Sequence, residues 1–423
     1  MFVQIGGKDC PVEGTVSQEE ITCRTPSGLG RHDLALQAVE TFFVRSGEQS
    51  DAFVQHDILF GGLTTEPNVR RSEFGGFVAY AFGGGDGKKQ TSSVVFENFH
   101  PLSAKGVRAV AEYKSRTYVA GGFTQGRSNH IASFDGNALF DLGAGVDGLV
   151  NALIPFNGLL VVGGVFTKAI KQPSKRLAWF STGVLRTGGL ATWDGNSWGM
   201  LGSKPFVGVV ASLHVNGSLL YAGGRFNEEG IRNNLAMYNG TSWLSVCGLL
   251  LEGRDDNCGV TGGEVFAMAT LGEDLYVGGS FARAGGVSSP KIARWDGREW
   301  FAMSGLDGDV HAIAILADTV YVGGSFGGGS DSAYSYLAQW RQESWQSLQG
   351  GVDGPVFSLV GLDSCLYIGG SFGSAGGKRE ISGVQVQNAA RWCFDRSGRS
   401  DSSWSAVQWP TANIGTCRSI ALA

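Results

Sequence analysis

Apolar residues along this chain come in short bursts, alternating with small or polar ones. "VRAVAEY" (Val107–Tyr113), "VNALIPF", "VVASLHV", "VFAMATL", "VHAIAIL" and "VFSLVGL" (Val356–Leu362) are such runs, each closed by turn-forming residues. Their length and β-branched content predict strands, not helices. After each run comes a second one ending in Gly-Gly, of which "LYVGGSF" (Leu275–Phe281) is the clearest. A third segment ends on an aromatic ("LATWDG", "LAMYNG", "IARWDG"), and a fourth opens on another ("SWGML", "SWLSV", "EWFAM").

These four-part units recur every 40–60 residues or so. The Gly-Gly pair begins at Gly121, Gly163, Gly223, Gly278, Gly323 and Gly369, with a weaker copy at Gly83. Four short strands per unit joined by tight turns predict an all-β chain, a β-propeller of about seven four-stranded blades. Trp193 and Trp198, Trp295 and Trp300, and Trp340 and Trp345 flank turns such as "DGNS", and Tyr238 and Trp243 keep the spacing. Asp-Gly and Asn-Gly tolerate positive φ, so each pair should face across a hairpin. "DILFGG" (Asp57–Gly62) reads as a degenerate repeat strand or a connector. Ser419–Leu422 is expected to complete the first blade, around Gly83, and close the ring at seven; the alternative is a longer chain in which an eighth blade continues.

A strand ending in Gly-Gly, followed by two spaced aromatics, resembles the Kelch-type propeller repeat. "LYVGGSFARAGGVSSPKIARWDGREW" (Leu275–Trp300) is similar to repeats of large secreted or cell-surface proteins, among them fungal cortical markers of cell polarity. The opening "VQIGGKDCPVEGTVSQEEITCRTPSGLGRHDLALQAV" resembles the second half of an IPT/TIG domain, a small immunoglobulin-like sandwich. The expected organisation is a partial IPT/TIG-like domain over 1–50, a connector or degenerate repeat over 51–78, and the propeller over 79–423. The resemblance implies a start truncated within a larger multidomain protein. That truncation would account for the lack of a visible signal peptide.

Composition narrows the partners. The chain has 67 Gly among 423 residues, about twice the usual share of roughly 7%, with 11 Trp and 25 Phe to build a core. A net charge of −5 argues against nucleic acid, which needs a basic face. No apolar run is long enough to predict a membrane span. The seven Cys contain no C-x-x-C. Pairs at short separation suggest disulfides and an oxidising compartment, hence an extracellular or cell-surface location. The candidates are Cys10, Cys23, Cys247, Cys258, Cys393 and Cys417, with the pairing among Cys365, Cys393 and Cys417 open. The sequons at Asn216 and Asn239 are compatible with secretion.

Catalytic signals are sparse. The six histidines occupy different repeat positions: His311 opens a first strand, His214 ends one, and His130 falls in a loop. No H-x-H or H-E-x-x-H occurs, and the G-x-S-x-G matches ("GNSWG" and two copies of "GGSFG") belong to the repeat and not to a strand–turn–helix elbow, so no metal, cofactor or serine nucleophile is expected. Two recurring acids stand out: the hairpin acids Asp135, Asp194 and Asp296, and the inter-blade acids Asp147, Asp307 and Asp353. Turn-capping or solvated roles are expected for them rather than a calcium site.

Function is expected where the repeats differ. Insertions occupy Thr167–Gly189, Cys247–Gly263 and Ser374–Gln387, and propeller topology places all three on one face. The binding candidates there are Lys168, Lys171, Lys175, Arg176, Trp179, Arg254, Asp255, Asp256, Arg379 and Glu380. The expected activity is non-enzymatic recognition of a protein or glycan. The alternatives are a carbohydrate-active or oxidoreductase propeller with a site at the channel mouth, of galactose-oxidase-like architecture, and an intracellular Kelch-like adaptor.

Overall fold

The short apolar runs form antiparallel strands throughout the computed structural model of the chain. The structure describes residues 3–5, 8–10, 58–64, 76–81 and 107–422, apart from 126–127, 135–138, 171–183, 228–232, 248–257, 328–334, 377–382, 395–402 and 408–413. The chain divides into two units, Met1–Phe53 and Val54–Ala423. In the first, Val3–Ile5 pairs with Lys8–Cys10. The remainder of the stretch resembling an IPT/TIG domain, with Cys23, lies outside the described residues.

The second unit is a β-propeller, with seven blade sheets among the described residues. Blade five shows the pattern: an inner strand Val265–Leu271, a Gly-Gly strand Asp274–Gly279, a third strand Ile292–Trp295 and an outer strand Trp300–Ala302, paired in that order. The other inner strands are Val107–Tyr113, Val150–Phe156, Val209–Asn216, Val310–Leu316 and Val356–Leu362, for blades two, three, four, six and seven. Consecutive inner strands touch one another around a closed circuit.

The circuit closes through Ile414–Leu422, which pairs with Ile58–Thr64 from Ile58↔Leu422 to Thr64↔Ile414. Ile58–Thr64 pairs in turn with Gly76–Ala81. The closing strand is therefore longer than the Ser419–Leu422 expected. Ile58–Thr64, which holds "ILFGG" of the stretch "DILFGG", supplies the Gly-Gly strand of blade one, with Gly61 and Gly62 as its pair, while the weaker copy at Gly83 lies outside the described residues.

The Gly-Gly pair has two separate steric causes. A Cβ on Gly278 would lie 2.5 Å from Val310 Cγ1 of the next blade. One on Gly279 would run into the backbone carbonyl of Glu264, at the start of its own inner strand. The first glycine admits the neighbouring blade, and the second admits a bulge. Gly163, Gly223 and Gly323 repeat the first relation against Val210, Val265 and Val356. At the closure, Gly369 meets Cys417 where blades four to seven present Val210, Val265, Val310 and Val356.

Every inner strand carries that bulge at one place. The ladder skips Arg108, Asn151, Ala211, Phe266, His311, Phe357 and, on the closing strand, Arg418. The core fills the gaps between blades. Ala267, Tyr276 and Ile292 of blade five, for example, pack on Val310, Val322 and Ala338 of blade six. Burying one such valine contributes about 1.5–3 kcal/mol.

Hairpin aromatics meet as the spacing implied. Trp193 pairs with Trp198, Tyr238 with Trp243, Trp295 with Trp300 and Trp340 with Trp345, with ring centroids 5.1, 5.1, 6.5 and 4.8 Å apart. The outer-strand indole also ties its blade to the one before. Trp198, Trp243, Trp345 and Trp404 donate Nε1–H to the carbonyls of Leu142, Leu201, Met303 and Gln349. Trp300 breaks the series: its buried Nε1 has no partner among the described residues. There the Val246 carbonyl accepts from Gly259 N–H, beside the Cys247–Cys258 disulfide.

Candidate functional site: the loop face and channel mouth

Each Gly-Gly strand ends, and each inner strand begins, on one face of the propeller. The insertions rise from that face and are pinned to the segments between blades. In blade three, Lys168–Ile170 pairs with Val184–Arg186, and Ala169 bridges to Val146. In blade seven, Ser374–Ala375 pairs with Val384–Gln385, and Ala375 bridges to Val352. In blade five, Val260–Thr261 pairs with Arg283–Ala284, itself paired with Val287–Ser288. The Cys247–Cys258 disulfide closes the base of the insertion between blades four and five.

The inter-blade acids fasten this face. Asp147 accepts from Thr167 N–H, Thr167 Oγ–H and Lys168 N–H. Partial burial pushes its pKa up, but those three donors hold it below the usual carboxylate value. Asp353 accepts from Gly373 and Ser374 N–H, and Asp307 from Gly327 N–H. All three are turn caps. The hairpin acids serve the other face: Asp194 accepts from Asn196 and Ser197 N–H, which hold its pKa down, and Asp296 accepts from Arg298 and Glu299 N–H. Asp135 lies outside the described residues.

Of the binding candidates, Lys168 stands on the first insertion's hairpin, half-buried. Lys171, Lys175, Arg176, Trp179, Arg254, Asp255, Asp256, Arg379 and Glu380 lie outside the described residues. Cys393 bonds to Cys365, its cross-strand partner in blade seven, rather than to Cys417. Cys417 is buried on the closing strand, against Gly369. His130, expected in a loop, lies in the strand Ser128–Phe134 with a left-handed φ of 66°. His214 lies where expected, near the end of its strand. Burial lowers its pKa to about 4, and its Nε2 hydrogen-bonds Thr270 Oγ1 of the next blade at 2.9 Å.

Apart from His311, the channel lining is made of residues that belong to no motif in the sequence. A cavity of about 570 Å³ is lined by residues from all seven inner strands, including the bulge residues Arg108, Asn151, Ala211, Phe266, His311 and Phe357. Arg108 Nη1–H donates to Asn151 Oδ1 at 3.1 Å, and Asn151 Nδ2–H donates to the Val210 carbonyl at 3.0 Å. His311 lies between Phe266 and Phe357, with ring centroids 5.5 and 5.6 Å away, and its Nε2 hydrogen-bonds Ser325 Oγ at 2.7 Å. At the mouth, Glu264 pairs with Arg225 at 3.3 Å. The signal was present in the sequence: in "VRA", "VNA", "VFA", "VHA" and "VFS" only the middle position varies widely.

Among the described residues, no group of three His, Cys, Asp or Glu side chains is placed to hold a metal ion, and no helix is long and apolar enough to cross a membrane. No protein-family model matches the chain, and no curated protein matches it. Solved structures similar to it are propellers at low identity. The computationally designed Ika8 protein is 14% identical, with a TM-score of 0.39 over 75% of this chain and 96% of that one. YjhT is 14% identical, with a TM-score of 0.38 over 72% and 97%. The WD40 β-propeller domain of Doa1 is 11% identical, with a TM-score of 0.40 over 74% and 93%.

Proposed function

We propose that this chain is a non-enzymatic binding scaffold of the extracellular or cell-surface type, taking a protein or glycan on its loop face. The observation that carries this reading is the anchoring of three irregular insertions, at blades three, five and seven, on the same face. Four of the six exposed large apolar side chains among the described residues, Val165, Val184, Val207 and Val287, stand on that face. Apolar groups set among polar ones are what a recognition surface requires. Both sequons lie on the opposite face, at the two hairpin turns of blade four, so glycans there leave the loops clear. Two disulfides fit an oxidising compartment. The resemblance of the repeats to the Kelch type, and of residues 1–50 to an IPT/TIG module, belongs to this reading as that of one piece of a tandem adhesion-type protein.

The test is a glycan and surface-protein binding screen on two proteins. One is the intact chain. In the other, residues 171–183 are replaced by Asn-Gly, which suits a two-residue turn closing Ile170 onto Val184. A ligand of the intact chain that binds the shortened one at least tenfold more weakly supports the reading. Ligands that bind both equally overturn it for that insertion.

A further inference from the structure

Blade six departs from the repeat at its outer hairpin. Trp193, Tyr238 and Trp295 are followed by the turn caps Asp194, Asn239 and Asp296, but Trp340 is followed by Arg341. This hairpin closes in two residues, Gln342 and Glu343, with φ of 50° and 56°. Such a turn is made by backbone conformation and needs no side-chain cap, so the position can carry another group. Strand alternation sets Arg341 on the same sheet face as Thr319, Tyr321, Gln339 and Gln346, the face turned to Trp392 of blade seven. Gln339 and Gln346 are cross-strand partners, both half-buried, and neither amide has a hydrogen-bond partner among the described residues. The flanking blades satisfy the same pair of positions internally: Arg294 bonds Asp274 and lies over Phe301, and Arg391 Nε–H donates to Ser405 Oγ.

Two hollows, of about 380 and 260 Å³, share Arg341. Asp318, Gln342 and Gln346 line the first, at the hairpin face. Gln339 lines the second, opposite Trp392 and Phe394 of blade seven. Arg341 also hydrogen-bonds the buried Tyr321 hydroxyl, which steadies it against the sheet. Amides both donate and accept, as each hydroxyl of a sugar does, and the apolar C–H face of a sugar ring suits an aromatic side chain. Asp318 beside Arg341 supplies both signs of charge, which favours a neutral ligand. We propose that the cleft between blades six and seven binds a neutral disaccharide unit, free or at the end of a glycan. Its hydroxyls bond to Gln339 and Gln346, and one ring lies against Phe394. No residue of the cleft belongs to an insertion, so this site stands apart from the loop-face reading.

Titration calorimetry and saturation-transfer NMR on the full chain would use maltose, cellobiose, lactose and diacetylchitobiose, with the open-chain polyol sorbitol as control. At least one disaccharide should bind in the millimolar range or tighter, and sorbitol at least tenfold more weakly. Gln339→Leu/Gln346→Leu keeps the bulk of both side chains and removes the amides, and should lose at least tenfold in affinity. Independently of that variant's folding, the bound sugar should shift the Trp392 indole N–H resonance of the wild-type protein, assigned by its absence in Trp392→Phe. The chain shortened at residues 171–183 should bind the same sugar unchanged, which separates this site from the loop face. The proposal is overturned if no disaccharide binds at 20 mM, a concentration on the order of ten times a weak millimolar Kd. It is also overturned if sorbitol binds equally, if the folded double variant binds unchanged, if the Trp392 signal stays unmoved, or if the shortened chain loses the binding.

Discussion

Adding one methyl group at Gly278 and one at Gly279 should have different consequences, although the residues are neighbours. An alanine Cβ at Gly278 starts 2.5 Å from Val310 Cγ1 and 3.1 Å from Ile313 Cδ1. Carbon atoms rest at about 3.5–4.0 Å, so something must move by about 1 Å. Overpacking of that size costs about 1–3 kcal/mol, less a few tenths for the reduced freedom of the unfolded chain. Val310→Ala alone removes the facing methyl groups and should cost about 2 kcal/mol, from transfer and residual cavity together. In the double variant the new methyl fills part of the vacated space. Its cost should fall short of the sum by about 1–2 kcal/mol, as for other side chains in contact. Gly279→Ala meets the Glu264 carbonyl, which is backbone. Val310→Ala should therefore give it no relief. Guanidinium unfolding followed by tryptophan fluorescence would compare midpoints and slopes for the set. Additivity within about 0.5 kcal/mol for Gly278 and Val310, or rescue of Gly279→Ala by Val310→Ala, would refute the assignment of the two glycines to two neighbours.

Three further expectations follow from the same packing. Trp345→Phe should cost about 1 kcal/mol more than Trp300→Phe, because Trp345 donates to Met303 O while Trp300 Nε1 has no partner among the described residues; equal midpoint shifts would contradict the inter-blade staple. Burial keeps His214 neutral in the fold to about pH 4, whereas in the unfolded chain it takes up its proton near 6.5. Stability is thus fully present above pH 6.5 and declines as pH falls towards 4, by at most about 3 kcal/mol from this group; His214→Gln should flatten the midpoint-versus-pH slope between 6.5 and 5, and an unchanged slope would count against it. Removing the Cys365–Cys393 disulfide, with its separation of 28 residues, should cost roughly 3–4 kcal/mol on the loop-entropy scale, read as a midpoint shift in Cys365→Ser/Cys393→Ser.

Much of the architecture was legible because the blade is built from local signals. Gly-Gly, Asp-Gly and the five-residue aromatic spacing each act within one hairpin, and their period marks the blades. Blade one escaped full recognition because its inner strand comes from the far end of the chain, so its Gly61-Gly62 strand has no apolar run just before it. The disulfide at Cys365 was not separable from its alternatives for a similar reason: cross-strand register, and not sequence separation, puts Cys365 opposite Cys393. The face carrying the insertions could be argued from topology alone. The channel could not, since a residue inside an apolar run reads as one more alternation until a bulge removes it from the ladder.

That bulge also explains why the repeats are uniform in one place and varied in another. Val265 must fit against Gly223, and Gly279 must clear Glu264, so neither can change without its partner. Phe266, between them in the fold, pairs with nothing in the ladder and faces the channel. A substitution there leaves the inter-blade packing intact. The chain places Arg, Asn, Ala, Phe, His and Phe at this one position in six successive blades, while the flanking positions stay small or apolar. The steric demand that enforces the Gly-Gly pair is thus what releases its neighbour to carry chemistry. A protein built this way can alter its channel one blade at a time without loss of the ring.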